Sequence, residues 1–290
     1  MKVVTQTYDC ALRLGEERAV KLLCEAGFDG LDYSMMFMRD NPDYALNGPG
    51  YAKHALLLKS IAESYGVAFE QAHAPFPSAK EGDPVYNKAT EEKLKRCLEI
   101  CGLMGIKIIV VHPVYFKKNK FENNIEMYNR LLPYAKDFNV KIALENMWGV
   151  GHKGKIIPNV CSLADEFNEY VDALDKDWFT ACLDLGHCGL VGSSADYMIK
   201  AMGKERIGCL HVHDNDGIHD DHTLPYTKSM DWESILKALA QIDYNGDFTF
   251  EADNYLSEFH RDLLPAACKF MCELGRSMVS RIERYRASND

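Results

Sequence analysis

The sequence predicts a single α/β domain, a (β/α)₈ barrel over residues 1–290 with a long terminal helix. Three observations carry that reading. Eight short apolar runs recur along the chain, each reached through a helical pattern that stops at Gly or a turn. Their spacing is roughly even from end to end, which favours a closed barrel over an open doubly wound sheet. Histidines and carboxylates gather just past the runs, at the ends where such barrels build their sites. No linker or low-complexity stretch divides the chain.

The first run is Val3-Val4-Thr5-Gln6, and the helix from Glu16 to Glu25 stops at Gly27. Gly27 to Tyr33 reads as a loop entering the second strand, followed by a helix over Tyr51 to Tyr65 that Gly66 halts. The third strand, Val67 to Ala72, carries His73 at its end. A helix over Lys88 to Met104 ends near Gly105. Lys107-Ile108-Ile109-Val110-Val111 is then the near-continuous apolar run of a strand buried on both faces, closed by His112-Pro113.

After the helix Asn124 to Phe138 comes Lys141 to Leu144, then Glu145-Asn146. After Ser162 to Leu174 comes Thr180 to Leu183, then Asp184-Leu185-Gly186-His187. A helix over Ala195 to Met202 leads to the strand Ile207 to Leu210, and a helix over Trp232 to Ile242 leads to the strand Asp247 to Phe250. A terminal helix from about Leu256 to Tyr285 completes the set.

Composition bounds what such a domain does. A net charge of −10 and a pI near 5.5 argue against nucleic acid as the partner, since phosphate neutralisation needs clustered Lys and Arg. The ten cysteines are scattered without a CxxC pair and read as reduced thiols packing as small hydrophobes. The amino terminus meets a polar residue too soon for a signal peptide, and no apolar run is long enough to span a membrane, so the expected location is the cytoplasm.

Glu145, Asp184, His211 and Glu251 end strands five to eight, so a barrel points all four across one mouth. Carboxylates and imidazoles converging from rigid strand ends are a divalent-metal donor set. His73, His112, His187, Asp220 and His222 stand at similar ends as further ligands or substrate-binding groups. Trp148 offers either a face on which a sugar can stack or simple loop packing. His152, His213 and His219 read as bystanders, solvated or supporting. Lys153, Lys155 and Lys228 read as solvated surface charges, because no Gly-rich phosphate cradle accompanies them.

With those residues in place, the chain resembles the xylose-isomerase-like TIM-barrel superfamily, in which sugar isomerases and epimerases sit beside endonuclease IV. The motifs are His73-Ala74-Pro75, Val111-His112-Pro113, Leu144-Glu145-Asn146, Leu183-Asp184-Leu185-Gly186-His187, Leu210-His211-Val212-His213-Asp214 and Phe250-Glu251. In the ketose 3-epimerase branch the resemblance implies one divalent ion on Glu145, Asp184, His211 and Glu251, proton exchange by the two glutamates, and a sugar contact at His187. In the endonuclease IV branch it implies a three-zinc cluster on His73, His112, Glu145, Asp184, His187, His211, Asp220, His222 and Glu251.

Two departures argue against a free ketohexose. Gly217 stands where the epimerase motif usually has arginine, and Gly151 stands where it has a substrate-binding glutamate. Against the nuclease stands the absence of a clear basic, aromatic DNA-kinking loop near Met35 to Asn41 or after His73. The expectation is therefore a metal-dependent isomerase or epimerase of a sugar or sugar phosphate, using Mn, Zn, Co or Mg, that abstracts a proton next to a carbonyl through an ene-diolate. An endonuclease IV-like zinc phosphodiesterase is the alternative, and a homo-oligomer stays open.

Overall fold

The computed structural model describes residues 1–39 and 41–288; Asp40, within the stretch Met35 to Asn41 considered above, and Asn289 and Asp290 lie outside the described residues. In chain order the elements are β1 (Val3–Gln6), α1 (Tyr8–Leu14), α2 (Glu16–Glu25), β2 (Gly30–Ser34), α3 (Tyr51–Ser64), β3 (Ala68–His73), α4 (Pro84–Met104), β4 (Ile108–Val110), α5 (Lys120–Phe138) and β5 (Lys141–Glu145). There follow β6 (Trp148–Val150), β7 (Ile156–Pro158), α6 (Ala164–Asp172), β8 (Phe179–Asp184), α7 (Leu185–Leu190), α8 (Ala195–Met202), β9 (Ile207–His211), α9 (Trp232–Gln241), β10 (Phe248–Phe250), α10 (Asp253–Ser257) and α11 (Leu264–Ala287).

Eight of these strands form one parallel sheet in the order β10-β1-β2-β3-β4-β5-β8-β9. Between β9 and β10 the ring closes through a parallel bridge from Val212 to Phe250, where Val212 N donates to Thr249 O at 2.9 Å and Glu251 N donates to Val212 O at 3.2 Å. The expected (β/α)₈ barrel is therefore the fold. Inside it Val110, Ala143, Cys182 and Cys209 make a small apolar plug, and the main core fills the space between strands and helices. All ten cysteines are buried and free.

Local chemistry explains where the elements depart from the expected bounds. The α4 helix begins at Pro84 because Asp83 caps it, accepting from Tyr86 N, and proline suits a first turn that has no use for its missing N–H. The terminal helix is shorter than expected at its start. Residues 256–263 are spent on the end of α10 and a 3₁₀ turn, and α11 starts at Leu264 with Pro265 in its first turn. That helix then lies hard against the barrel: a Cβ at Gly275 would stand 2.6 Å from Val3 Cγ1. The β6–β7 hairpin, which the sequence pattern did not announce, follows the end of β5 as a separate two-stranded antiparallel sheet. No helix among the described residues is long and apolar enough to cross a membrane.

Candidate metal centre

The strands deliver four donor side chains to one point. Glu145 ends β5, Asp184 ends β8, His211 ends β9 and Glu251 follows β10, each with a ligand atom within 4.8 Å of the other three. His211 Nδ1 stands at their centre, 3.2 Å from both Glu145 Oε1 and Glu251 Oε2 and 4.0 Å from Asp184 Oδ2. Glu145, Asp184 and His211 are fully buried, and Glu251 faces a mouth cavity of about 290 Å³. Burial alone would raise both glutamates, but His211 outweighs it and holds each carboxyl well below its ordinary range, with His112 helping at Glu145 and His222 at Glu251.

Two further groups flank the quartet. On one side His73 Nε2 and His112 Nε2 stand 3.0 Å apart, and the latter is 2.9 Å from Glu145 Oε2 without hydrogen-bonding geometry, so that buried oxygen has no hydrogen bond. Burial pulls both imidazoles down; at His73 the Glu145 carboxylate more than compensates and the group is raised, whereas at His112 burial prevails. On the other side His187, His213, Asp220 and His222 form a second set of mutually close donors. There His222 Nε2 is 3.1 Å from Asp220 Oδ2, and His213 Nε2 is 3.0 Å from Asp184 Oδ1. Burial would lower His187, yet Asp184 and Asp220 raise it to about 10.

Three of these histidines are oriented in one way. His73, His187 and His222 each donate Nδ1–H to a backbone carbonyl, those of Ala74, Asn146 and Glu251, at 2.8 Å in every case. One proton is thereby fixed on Nδ1 and the Nε2 edge is turned into the mouth, where its lone pair is free for a ligand once any second proton has left. An Nε2 beside a carboxylate is satisfied only while it holds a second proton, as at His222 on Asp220 Oδ2 at 3.1 Å and at His187, which the neighbouring acids raise. At an effective dielectric of ~20, like charges about 4 Å apart repel by about 4 kcal/mol. A cation at the centre takes the place of those second protons and neutralises the clustered carboxylates, so the residues fit a divalent ion.

The predicted site residues thus come together, with some redistribution. His213, read as a bystander, is buried against Asp184 and stacked on the His222 ring at 3.8 Å. Its place depends on Gly186, where a Cβ would stand 2.0 Å from His213 Cε1. His152 and His219 lie exposed, the latter paired with Asp216. Trp148 donates its indole N–H to Asp220 Oδ2 at 3.1 Å, so it braces the outer group. Lys153 and Lys155 are exposed at the tip of the β6–β7 hairpin, and Lys228 pairs with Asp221 at 3.5 Å; none of the three lines the mouth cavity.

Residues missed from the sequence also line that cavity. Gln6 donates to Glu251 Oε1 at 2.7 Å, and the end of the first strand was the signal for it. No basic, aromatic feature was expected near Met35 to Asn41 or after His73. Yet Arg39 lies over the Phe76 ring at 5.6 Å, and that ring stacks on His112 at 4.5 Å. A larger cavity of about 380 Å³ under Arg39, Lys93 and Arg96 lies away from the clustered donors.

The chain belongs to the xylose isomerase-like TIM barrel family, whose sequence pattern matches residues 20–274. It is 24% identical over 267 residues to the uncharacterized protein y4fM of Sinorhizobium fredii, covering 83% of each chain. It is 26% identical over 165 residues to the inosose isomerase of Bacillus licheniformis, covering 53% of this chain and 56% of that one. Among solved structures, a D-tagatose 3-epimerase-like protein superposes with a TM-score of 0.75 at 20% identity, over 98% of this chain and 99% of the other. The IOLI protein with a binding zinc atom superposes with a TM-score of 0.72 at 18% identity, over 97% and 98%. At these identities the structural likeness carries the fold.

Proposed function

We propose that this protein is a divalent-metal-dependent isomerase or epimerase of a sugar or sugar phosphate, acting by proton abstraction next to a carbonyl. The observation that carries the reading is the pair of glutamates at 3.2 Å on either side of His211 Nδ1, one buried and one facing the cavity. Names among the relatives support it: an inosose isomerase by sequence, and by structure a D-psicose 3-epimerase in the presence of D-fructose.

In this reading Glu145, Asp184, His211 and Glu251 hold one ion, which when bound supplies a Lewis acid for the substrate carbonyl. Glu251, reached from the cavity and steadied by Gln6, takes the proton from the carbon beside the carbonyl, giving the ene-diolate. For epimerisation Glu145 must enter the turnover protonated and give that proton to the opposite face, after which Glu251 loses its proton to solvent and Glu145 regains one. A cavity of about 290 Å³ suits a small substrate, with His222 in its lining; His187 and Trp148 stand behind it against Asp220, and in this reading they meet substrate hydroxyls beyond the mouth. Zinc is favoured over Mn, Co or Mg if the histidine-rich flanks also bind. The expected location is the cytoplasm.

The test is exchange of substrate C–H protons with deuterated solvent across a panel of ketoses, inososes and ketose phosphates, using protein loaded with each divalent ion. Exchange at a carbon beside the carbonyl is the expected result.

A second reading, an endonuclease IV-like zinc phosphodiesterase, is favoured by the complete nine-residue donor set and by Arg39 over Phe76 at the mouth. The acidic charge opposes it, since duplex binding leans on phosphate neutralisation and on inserted wedges. The zinc-loaded protein is expected to leave an abasic-site duplex uncut at low ionic strength. Efficient metal-dependent incision with no exchange in any sugar would put the second reading first.

A further inference from the structure

We propose that Asp32 is a positioning residue for the metal centre: it takes the Nε2–H of His211 and so commits the Nδ1 lone pair of that imidazole to the mouth. The inference rests on the reading that the quartet holds a divalent ion.

Among the histidines of the site, His211 is mounted the other way round. His73, His187 and His222 each anchor Nδ1 on a carbonyl and aim Nε2, whereas His211 aims Nδ1 at Glu145 and Glu251 and turns Nε2 down into the barrel. No carbonyl receives that edge among the described residues. Facing it are two side chains, Asp32 Oδ2 at 3.5 Å and Gln71 Nε2 at 2.9 Å.

For Nδ1 to act as a donor to a cation, the single proton of the neutral ring must sit on Nε2 and find an acceptor there. Gln71 presents an amide nitrogen, a donor that at 2.9 Å suits only a bare Nε2; once Nε2 carries the proton the amide must draw back, and Asp32 Oδ2, at ion-pair distance of 3.5 Å, is the acceptor available. The same amide donates to Asp32 Oδ2 at 3.0 Å, and Thr249 Oγ1 donates to Gln71 Oε1 at 3.3 Å. A belt from β2 through β3 and β10 thus fixes the carboxylate beneath the ring.

The environment of Asp32 says the charge is there for a purpose. It is fully buried between Leu31 and Tyr33 in β2, no Lys or Arg pairs with it among the described residues, and its Oδ1 has no hydrogen bond. A carboxylate so placed costs the fold several kcal/mol, which an apolar side chain would avoid. Joined to the ring, it completes a carboxylate–histidine–metal relay that fixes the tautomer and makes the ligand more basic.

The experiment compares metal-free wild type, Asp32→Asn and Gln71→Met by calorimetric titration with Co²⁺, recording the visible Co²⁺ spectrum and the melting of each metal-free protein. The expected result for Asp32→Asn is an affinity of the folded protein roughly 10–100-fold weaker with an altered spectrum, alongside some loss of melting temperature in the metal-free protein because one partner of the buried Asp32–His211 pair is gone. A purely structural role would lower melting and leave the affinity of the folded fraction alone. Affinity and spectrum equal to wild type would overturn the proposal. Gln71→Met, which releases the carboxylate but keeps it, should weaken binding in the same direction by less, and it decides the matter if Asp32→Asn does not fold. If wild type itself takes up no Co²⁺, the metal reading falls and this inference with it.

Discussion

The two ends of the barrel handle charge in opposite ways. At the amino-terminal end of the strands two acids are held by bases: Lys2 Nζ lies 2.6 Å from Glu70, and Asp29 accepts from Arg276 at 2.9 Å and from Val3 N at 2.8 Å. At the carboxyl end Glu145, Asp184, Asp220 and Glu251 have no Lys or Arg ion-pair partner among the described residues, only imidazoles and one another. The lower pairs are part-exposed and each contributes about 0–1 kcal/mol. The upper carboxylates are buried, where uncompensated charge costs far more. One end is balanced as it stands, and the other becomes balanced when a cation arrives.

The largest effect should come from the upper end. Glu251→Gln keeps the shape but removes the base, and solvent exchange of the substrate proton is expected to fall roughly 10²–10⁴-fold with the circular dichroism spectrum unchanged. Exchange at the wild-type rate would withdraw the catalytic role.

Chelation comes next. Stripping the ion should lower the stability of the whole barrel by about 3–4 kcal/mol relative to protein in free metal at 100–1,000 times the dissociation constant, seen as a lower melting temperature. The pH dependence follows from His187, which is raised to about 10 in the ion-free fold and so carries a proton at neutral pH. An ion that uses its Nε2 must displace that proton, so affinity should rise with pH up to about 10 and fall as the medium is acidified. Calorimetry in buffers of different ionisation enthalpy would register the released proton, and pH-independent uptake without release would exclude His187 as a ligand.

A smaller and more discriminating effect is expected from His73 and His112 changed together to Asn. One ion per chain should remain if the quartet works alone, with weaker substrate binding. Loss of two or more ions from a wild-type stoichiometry of three, counted by elemental analysis, would mark a cluster instead. The smallest effect belongs to the lower end, where Lys2→Met should shift stability by less than about 1 kcal/mol. A drop of several kcal/mol in chemical denaturation would show that the barrel base is not the balanced surface described.

The sequence was most legible where two signals coincided, an apolar run and a titratable residue just past it, which is how Glu145, Asp184 and His211 fell into place. His213 was read as solvated or supporting, and the structure gives it the supporting place against Asp184, for which the signal was present. In extended chain, positions i and i+2 share a face, so His211-Val212-His213 turns both rings inward, and the Val212 bridge to Phe250 keeps the chain extended that far. Asp32 and Gln71 were not legible, because a lone polar residue inside an apolar run gives no hint of what it meets across a closed barrel. Their partner His211 is 179 positions from Asp32 and 140 from Gln71 in the chain. The β6–β7 hairpin escaped for a related reason: its strands are three residues each and bury little, so their pattern is too short to stand out.

Gly186 sets a constraint on how this site can change. Its missing side chain is the space into which the His213 ring fits, while its neighbours Asp184 and His187 supply donors on either side of that ring. The Asp184-Leu185-Gly186-His187 turn and the His211-Val212-His213 strand end therefore interlock like a mortise and tenon. A Gly186→Ala protein should lose the stacked His213–His222 pair while keeping His211 in place, and a smaller residue at 213 should restore the fit. Variation at the two positions is thus not independent: any lineage or library that enlarges one must shrink the other, and a site rebuilt for a new substrate has to replace both halves of the joint at once.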